Sequence, residues 1–230
     1  MVHTSLIILT RNEITGLKAL IHKIPFRAAD ECFVIDYNST DGTIEFLKKH
    51  HIRILQQQKP GRAEAFYLGA KTARGKFLIF FSPDGNENPA DIPKLIALLE
   101  KGSDLAIATR FGNNAYNEED DQLFKFRAWA NQGFTLLANL LWHGHLSDSI
   151  NGFRSIKKTA FTKLHLDAQG FAIEYQMSIR ALKLRLKIAE LPTHEGKRIG
   201  GKSGSTALPT GLTFVYYLLR EIILGTRFNG

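Results

Sequence analysis

Phe77-Leu78-Ile79-Phe80-Phe81, followed by Ser82-Pro83-Asp84-Gly85-Asn86-Glu87-Asn88, is the stretch on which the fold turns. A short run of bulky apolar residues ending in turn chemistry fits a strand covered on both faces, the pattern of a parallel sheet. The run that stops it combines an Asp-Gly turn with closely spaced carboxylates and amides. Ligands of open α/β sheets bind beyond the carboxyl ends of the strands, so a site is expected here.

The same alternation surrounds this stretch. Strand-like runs cover residues 5–10, 32–37, 53–56, 76–82 and 104–109, and helical periodicity covers 14–24, 43–50, 63–74 and 90–100. Polar clusters close the strands: Thr10-Arg11-Asn12-Glu13 after the first and Asp36 to Thr43 after the second. Beyond residue 115 the pattern changes to a charged loop (117–121), a long apolar helix (124–142), a turn and short strand (147–156), a helix (172–186) and a strand (187–191). A Gly-rich segment over 196–208 has the composition of a mobile loop, and an amphipathic helix is expected over 211–224. With no repeat and no linker, the expectation is one α/β domain over 1–230: a mostly parallel, Rossmann-like central sheet flanked by helices.

The chain has 230 residues, 44% of them hydrophobic, enough for one well-buried core. Cys32 is the single cysteine, which leaves no disulfide framework and suits a reducing cytoplasm. No early apolar segment resembles a signal peptide, and no run of eighteen apolar residues suggests a spanning helix. The net charge of +8 implies an anionic partner. Residues 150–230 carry 13 basic against 5 acidic groups, so the excess is concentrated in the last third. No nucleic-acid motif or aromatic-basic interleaving accompanies it, so nucleic acid is not the expected partner.

Several segments carry candidate chemistry. Asp84, Asn86 and Asn88 offer hard oxygen ligands for Mg²⁺ or Mn²⁺ carrying a diphosphate, and Gly85 allows close approach; a solvated turn explains them equally well. Asp36, at the end of a buried strand, is placed to accept hydrogen bonds from a nucleobase or ribose, whereas Thr40 or Asp41 reads equally as a helix cap. Arg62 opens a helix after Gly61, where amides and a guanidinium can meet phosphate. Gly196 to Ser203 matches the expression of a phosphate-binding loop but follows no strand-to-helix turn; Arg198 and Lys202 can still close over phosphates. Asp148 and Arg154 flank a turn at 148–154, which a local salt bridge would also explain. The scattered histidines lack zinc-ligand spacing.

In order and spacing these segments resemble family 2 glycosyltransferases of the GT-A fold, especially the branch of dolichyl-phosphate mannose synthase and bacterial polyprenyl-phosphate sugar transferases. Thr10 to Glu13 is similar to Pro-x-Tyr-Asn-Glu, Asp36 to Thr43 to Asp-Asp-x-Ser-x-Asp-Gly-Thr, and Gly61 to Ala65 to Gly-Leu-Gly-x-Ala. Asp84-Gly85-Asn86 stands at the Asp-x-Asp position. Thr109-Arg110-Phe111 resembles Ser-Arg-Tyr, Arg127 and Asn131 resemble Arg-x-x-x-Ser, Asn151 to Arg154 resemble Ser-Gly-Phe-Arg, and Arg198 to Ser203 resemble Arg-x-x-Gly-x-Ser. Three departures stand out: Tyr37 replaces an acid, Asn86 replaces the second acid of the metal motif, and Asn131 replaces a serine.

The resemblance implies an inverting, metal-dependent transfer of a hexose from GDP- or UDP-sugar to a lipid phosphate, with residues 1–115 holding the donor and 116–230 the acceptor. Thr10, Asn12, Glu13, Asp36, Arg62 and Gly85 would form the nucleotide-sugar site. Asp84 and Asn86 would hold metal and diphosphate, Arg198 and Lys202 the diphosphate, and Arg110, Arg127, Asn131 and Arg154 the acceptor phosphate. A phosphate nucleophile needs no general base; a hydroxyl acceptor would, and Asp148 is the first candidate. The amphipathic helix over 211–224 is expected at the cytoplasmic face of a membrane, on the core or in a homodimer. A nucleotide-sugar-binding module without turnover is the non-enzymatic alternative.

Overall fold

The computed structural model describes residues 2–119, 125–200 and 207–229. Seven strands form one sheet in the order β3-β2-β1-β4-β6-β5-β7. β1 (Thr4–Thr10), β2 (Glu31–Asp36), β3 (Arg53–Gln56) and β4 (Phe77–Phe81) are parallel to one another, and β5 (Leu105–Thr109) is parallel to β7 (Ile188–Pro192). β6 (Arg154–Lys157) inserts antiparallel between β4 and β5, so the expected strand is confined to the end of the 147–156 segment. The α/β domain with a mostly parallel sheet is therefore as expected.

The pleat explains the apolar runs. Ile7, Phe33, Leu78 and Phe80 face a layer made by α3 (Arg62–Thr72), α6 (Lys158–Lys163) and α7 (Ala172–Lys183). Leu6, Ile8, Val34, Ile79 and Phe81 face α1 (Ile14–Leu20), α2 (Thr43–Lys49) and α4 (Ile92–Glu100) on the other side. Both sides of each central strand are buried, which removes the polar alternation of a half-exposed sheet. α5 (Phe126–Trp142) and α8 (Ala207–Leu224) lie outside this sandwich and pack on α7 through Phe134, Ala138, Phe214 and Leu218.

Register sets the site. Thr10 pairs with Asp36, and Ile8 with Phe81, so the ends of β1, β2 and β4 open on one edge. α1 can approach that edge because residue 16 is glycine: a Cβ there would stand 2.0 Å from the Pro83 carbonyl oxygen.

Candidate active site

An open cleft of about 1120 Å³ runs along this edge, from Arg11, Tyr37 and Gln57 at one end to Arg127, Phe134 and Phe214 at the other. At the first end Asp36 is fully buried. It accepts hydrogen bonds from Thr10 Oγ1 (2.8 Å), Ser39 N (3.0 Å) and Ser39 Oγ (2.5 Å). Its expected nucleoside contact is thus corrected to a positioning role: the carboxylate is spent inside the loop, and the neighbouring Tyr37 lines the cleft with the Arg11 guanidinium 5.2 Å over its ring. Asn12 holds the adjoining loop, its Oδ1 accepting from Thr40 N at 2.8 Å.

The middle of the cleft is acidic. Gly85 turns at φ 99°, and the backbone of residues 196–199 lies over it through Gly196 N to Asn86 O (3.0 Å) and Ile199 N to Asp84 O (2.8 Å). This brings Arg198 across the site, where Nη1 donates to Asp84 Oδ2 at 2.6 Å and Nη2 donates to Glu13 Oε1. Burial, reinforced by the charge of Asp84 and opposed by Arg198, lifts the Glu13 pKa to about 7. Burial and Asp84 likewise lift Glu87 to about 8, although Glu87 accepts from Ser82 N at 2.7 Å and lies 3.8 Å from Arg62 Nη2.

This donor set fits a hard divalent ion. Asp84 is a carboxylate facing the cleft, and Asn86, whose Nδ2 donates to Glu118 Oε2 (2.9 Å) and Gly196 O (2.8 Å), keeps its amide oxygen for another partner. Among the described residues no three His, Cys, Asp or Glu side chains converge as a ready cage. An ion that takes few protein ligands and completes its shell with phosphate and water suits such a site.

Beyond the acidic centre, Arg62 donates through Nε to Glu174 Oε1 and through Nη1 to Ser82 Oγ at 3.1 Å. Glu174 Oε2 is buried with no hydrogen-bond partner. Glu174, in the first turn of α7, is the cleft residue that sequence reasoning passed over; its signal was a lone acid opening an apolar helical run. Arg110, Arg127 and Asn131 line the far end beside Phe126, Phe134 and Phe214. Arg110 donates to Asp148 Oδ2 through Nε (2.7 Å) and to Glu195 Oε1 through Nη1 (3.2 Å). Burial alone would lower the Arg110 pKa, but these two carboxylates raise it overall.

Three further expectations are corrected. Asp148 is fully buried, and its oxygens accept from Arg110 and from the amides of Ile150 (3.2 Å) and Asn151 (3.1 Å), so it cannot reach an acceptor as a base. Arg154 is fully buried and donates to the carbonyls of Asn151 and Glu174, the latter at 2.9 Å, so it braces β6 rather than a phosphate. Burial pushes its pKa down to about 10. Asn88 is exposed and caps a short 3₁₀ turn, its Oδ1 accepting from Ala90 N at 3.1 Å, which removes it from the metal set. Lys202 lies outside the described residues, as do the other residues of 201–206 in the expected loop.

The sequence model of glycosyl transferase family 2 matches residues 5–164, which include both strand-end clusters and the acidic turn. The chain belongs to that family. A dolichol-phosphate mannosyltransferase from Mycosarcoma maydis is 29% identical over 184 residues, covering 76% of this chain and 61% of its own length. One from Pyrococcus furiosus is 27% identical over 209 residues, covering 86% and 58% respectively. The chain thus spans about three-fifths of the length of these two mannosyltransferases. Glucosyl-3-phosphoglycerate synthase from Mycobacterium tuberculosis, solved with Mn²⁺, UDP and glucosyl-3-phosphoglycerate, superposes with a TM-score of 0.73 at 21% identity. That likeness covers 98% of this chain and 80% of the other, and establishes the GT-A fold.

Proposed function

We propose that this family 2 glycosyltransferase moves a hexose, with inversion, from a UDP- or GDP-sugar to a phosphorylated acceptor, a polyprenyl phosphate. The observation that carries this reading is the make-up of the cleft. Its acidic centre shares one opening with Arg110 and Arg127 and with the rings of Phe126, Phe134 and Phe214. Cations set among apolar rings match a phosphate borne on a hydrocarbon chain. The dolichol-phosphate mannosyltransferases among its relatives support the same acceptor class.

Asp84 and the amide oxygen of Asn86 would hold Mg²⁺ or Mn²⁺, which supplies positive charge to the leaving diphosphate. Arg198 now spans Glu13 and Asp84, and a donor diphosphate arriving there draws its guanidinium onto phosphate oxygens. Arg127 binds the acceptor phosphate, whose oxygen is largely ionised at neutral pH and attacks without a general base. One observation favours a second reading. Glu174, unlike Asp148, lines the cleft, and its Oε2 has no hydrogen-bond partner, so it is the candidate base to which a hydroxyl acceptor would give its proton. That a structural neighbour was solved with glucosyl-3-phosphoglycerate, a glycoside of a phosphorylated acid, supports this second reading.

Thermal-shift titration with UDP- and GDP-sugars, with and without Mn²⁺, followed by transfer assays, tests both. The expected result is a Mn²⁺-dependent rise in Tm with at least one nucleotide sugar, and transfer to a short prenyl phosphate giving an acid-labile sugar phosphodiester. No shift at millimolar concentration overturns the donor assignment; a stable glycoside on a hydroxy acid selects the second reading.

A further inference from the structure

Among the described residues thirteen large hydrophobic side chains are exposed, and twelve of them lie on two helices. α5 contributes Phe126, Trp129, Leu136, Leu137, Leu140 and Leu141; α8 contributes Leu212, Val215, Tyr216, Leu219, Ile222 and Ile223. The helices touch, with the Phe134 and Phe214 rings 5.3 Å apart and both packed on Tyr175 of α7, so their outward sides form one face. Soluble proteins scatter exposed apolar residues singly; a contiguous patch of this kind marks a docking surface.

α8 is inverted relative to a helix built for water. Its acid, Glu221, is fully buried against α7, where it accepts from Arg180 Nε (2.9 Å), Lys183 Nζ (2.6 Å) and Gln176 Nε2 (2.9 Å). Arg220 is drawn to Asp167, while Ile223 is 79% exposed and Leu212 64%. Burying a charge is costly unless it is fully paired, so this orientation is one the chain has built a network to hold. What it secures is an apolar outer side, which gains only if it meets something apolar.

We propose that the α5–α8 face rests on an anionic lipid bilayer, from which the acceptor's head enters the cleft; the second clause rests on the function proposed above. Three features select a membrane over a second copy of the chain. The cleft is walled by Phe126, Arg127 and Phe134 of α5 and by Thr210, Gly211 and Phe214 of α8, so the apolar face borders its acceptor end, and a second copy seated there would cover the entrance. Arg127 at one end of the face and Arg227 at the other are exposed, complementing anionic headgroups. Trp129 and Tyr216, 52% and 60% exposed, have the amphipathic rings that settle at headgroup level. Neither helix is long and apolar enough to cross a membrane, so the face lies in the interface plane.

The test uses the full chain and a Leu140→Glu/Leu219→Glu/Ile223→Glu variant, whose changes fall outside the cleft. Wild type is expected to float with phosphatidylcholine vesicles containing phosphatidylglycerol, and more weakly with phosphatidylcholine alone. The variant is expected to lose flotation at least tenfold, keep its Tm and its transfer to a short water-soluble prenyl phosphate, and lose at least tenfold of its transfer to a long-chain prenyl phosphate in vesicles. Wild type that stays with the soluble fraction on both vesicles overturns the proposal, as does a wild-type dimer in buffer that the variant converts to monomer. Flotation without transfer to either prenyl phosphate would leave the membrane contact standing and overturn the acceptor assignment instead.

Discussion

The two ends of the cleft are built on opposite principles. The end proposed to take the donor is made by loops at the ends of parallel strands, where Asp36, Ser39, Asn12 and Thr40 bond to one another and leave Tyr37 and Glu13 at the surface of the cleft. The end proposed to take the acceptor is bordered by two helices laid outside the sheet, their inner sides fixed to α7 and their outer sides apolar. The first is held by local hydrogen bonds within and between its loops; the second is placed by long-range packing and by the buried Glu221 network. A nucleotide is a fixed shape that a pre-formed loop set can match, whereas a lipid-borne acceptor varies beyond its phosphate and asks mainly for a cation and an apolar approach.

The sharpest way to break this division is at Asp84. Asp84→Ala is expected to lower kcat for transfer by at least 10²-fold, on the order of 3 kcal/mol, with the fold intact. Mn²⁺ should also cease to strengthen UDP binding, since the remaining ligand is a neutral amide. Transfer within about threefold of wild type, with Mn²⁺ dependence retained, would move the metal away from this turn and break the division.

Arginines at the acceptor end separate structure from binding. Removing one partner of a buried ion pair costs about 3–5 kcal/mol, because the other charge remains buried. Arg110 pairs with the fully buried Asp148 at 2.7 Å, so Arg110→Met is expected to lower Tm by roughly 6–20 °C for a chain of this size. Arg127, half exposed and 3.3 Å from Glu118, has no such role. Arg127→Ala should leave Tm within about 2 °C and raise the acceptor KM about tenfold, a loss of about 1.4 kcal/mol. Melting curves and acceptor titrations of the two variants check this, and equal behaviour would erase the distinction.

These contrasts also explain what the sequence disclosed. Strand positions were legible because burial on both faces leaves unbroken apolar runs, as in Phe77 to Phe81, and the turns beyond them could be located without contacts. Arg198 was expected at the diphosphate, and the structure shows it bonded to Asp84 and Glu13 in the cleft. Asp148, Arg154 and Asn88 misled for one reason: a polar residue beside a turn reads alike whether it faces ligand or closes the turn, and only partners 2–38 residues away decide it, as with Asn88 and Ala90 or Asp148 and Arg110. Glu174 was hidden in the opposite way, since an acid in a helix's first turn is ordinarily a helix-dipole partner. The apolar outer face escaped in part because α5 and α8 are far apart in sequence and only their common seat on α7 makes one surface.

The smallest expected effect separates the ends by pH. Burial and the charge of Asp84 keep Glu87 protonated up to about pH 8, and Glu13 up to about 7, against an ordinary value of 4.5. In that window the folded chain binds more protons than the unfolded one, so these groups favour folding most at low pH and lose that contribution as pH rises through 7 to 8. At the other end, the Arg220 guanidinium and Gln176 hold Asp167 at about 2 against burial, so its contribution is present above about pH 4 and fades on acidification. Asp167 is half exposed, so its share is small after screening. The Tm of wild type is therefore expected to fall by a few degrees between pH 6 and 8.5, on the order of 1 kcal/mol. Glu87→Gln should flatten that limb while Asp167→Asn alters only the acid limb. Saturating Mn²⁺ with UDP should flatten the alkaline limb in wild type as well, because an ion on Asp84 offsets the charge that holds the Glu13 and Glu87 protons. An alkaline limb that survives Glu87→Gln unchanged would place its origin outside the acidic centre and undo the link between that charge and the metal.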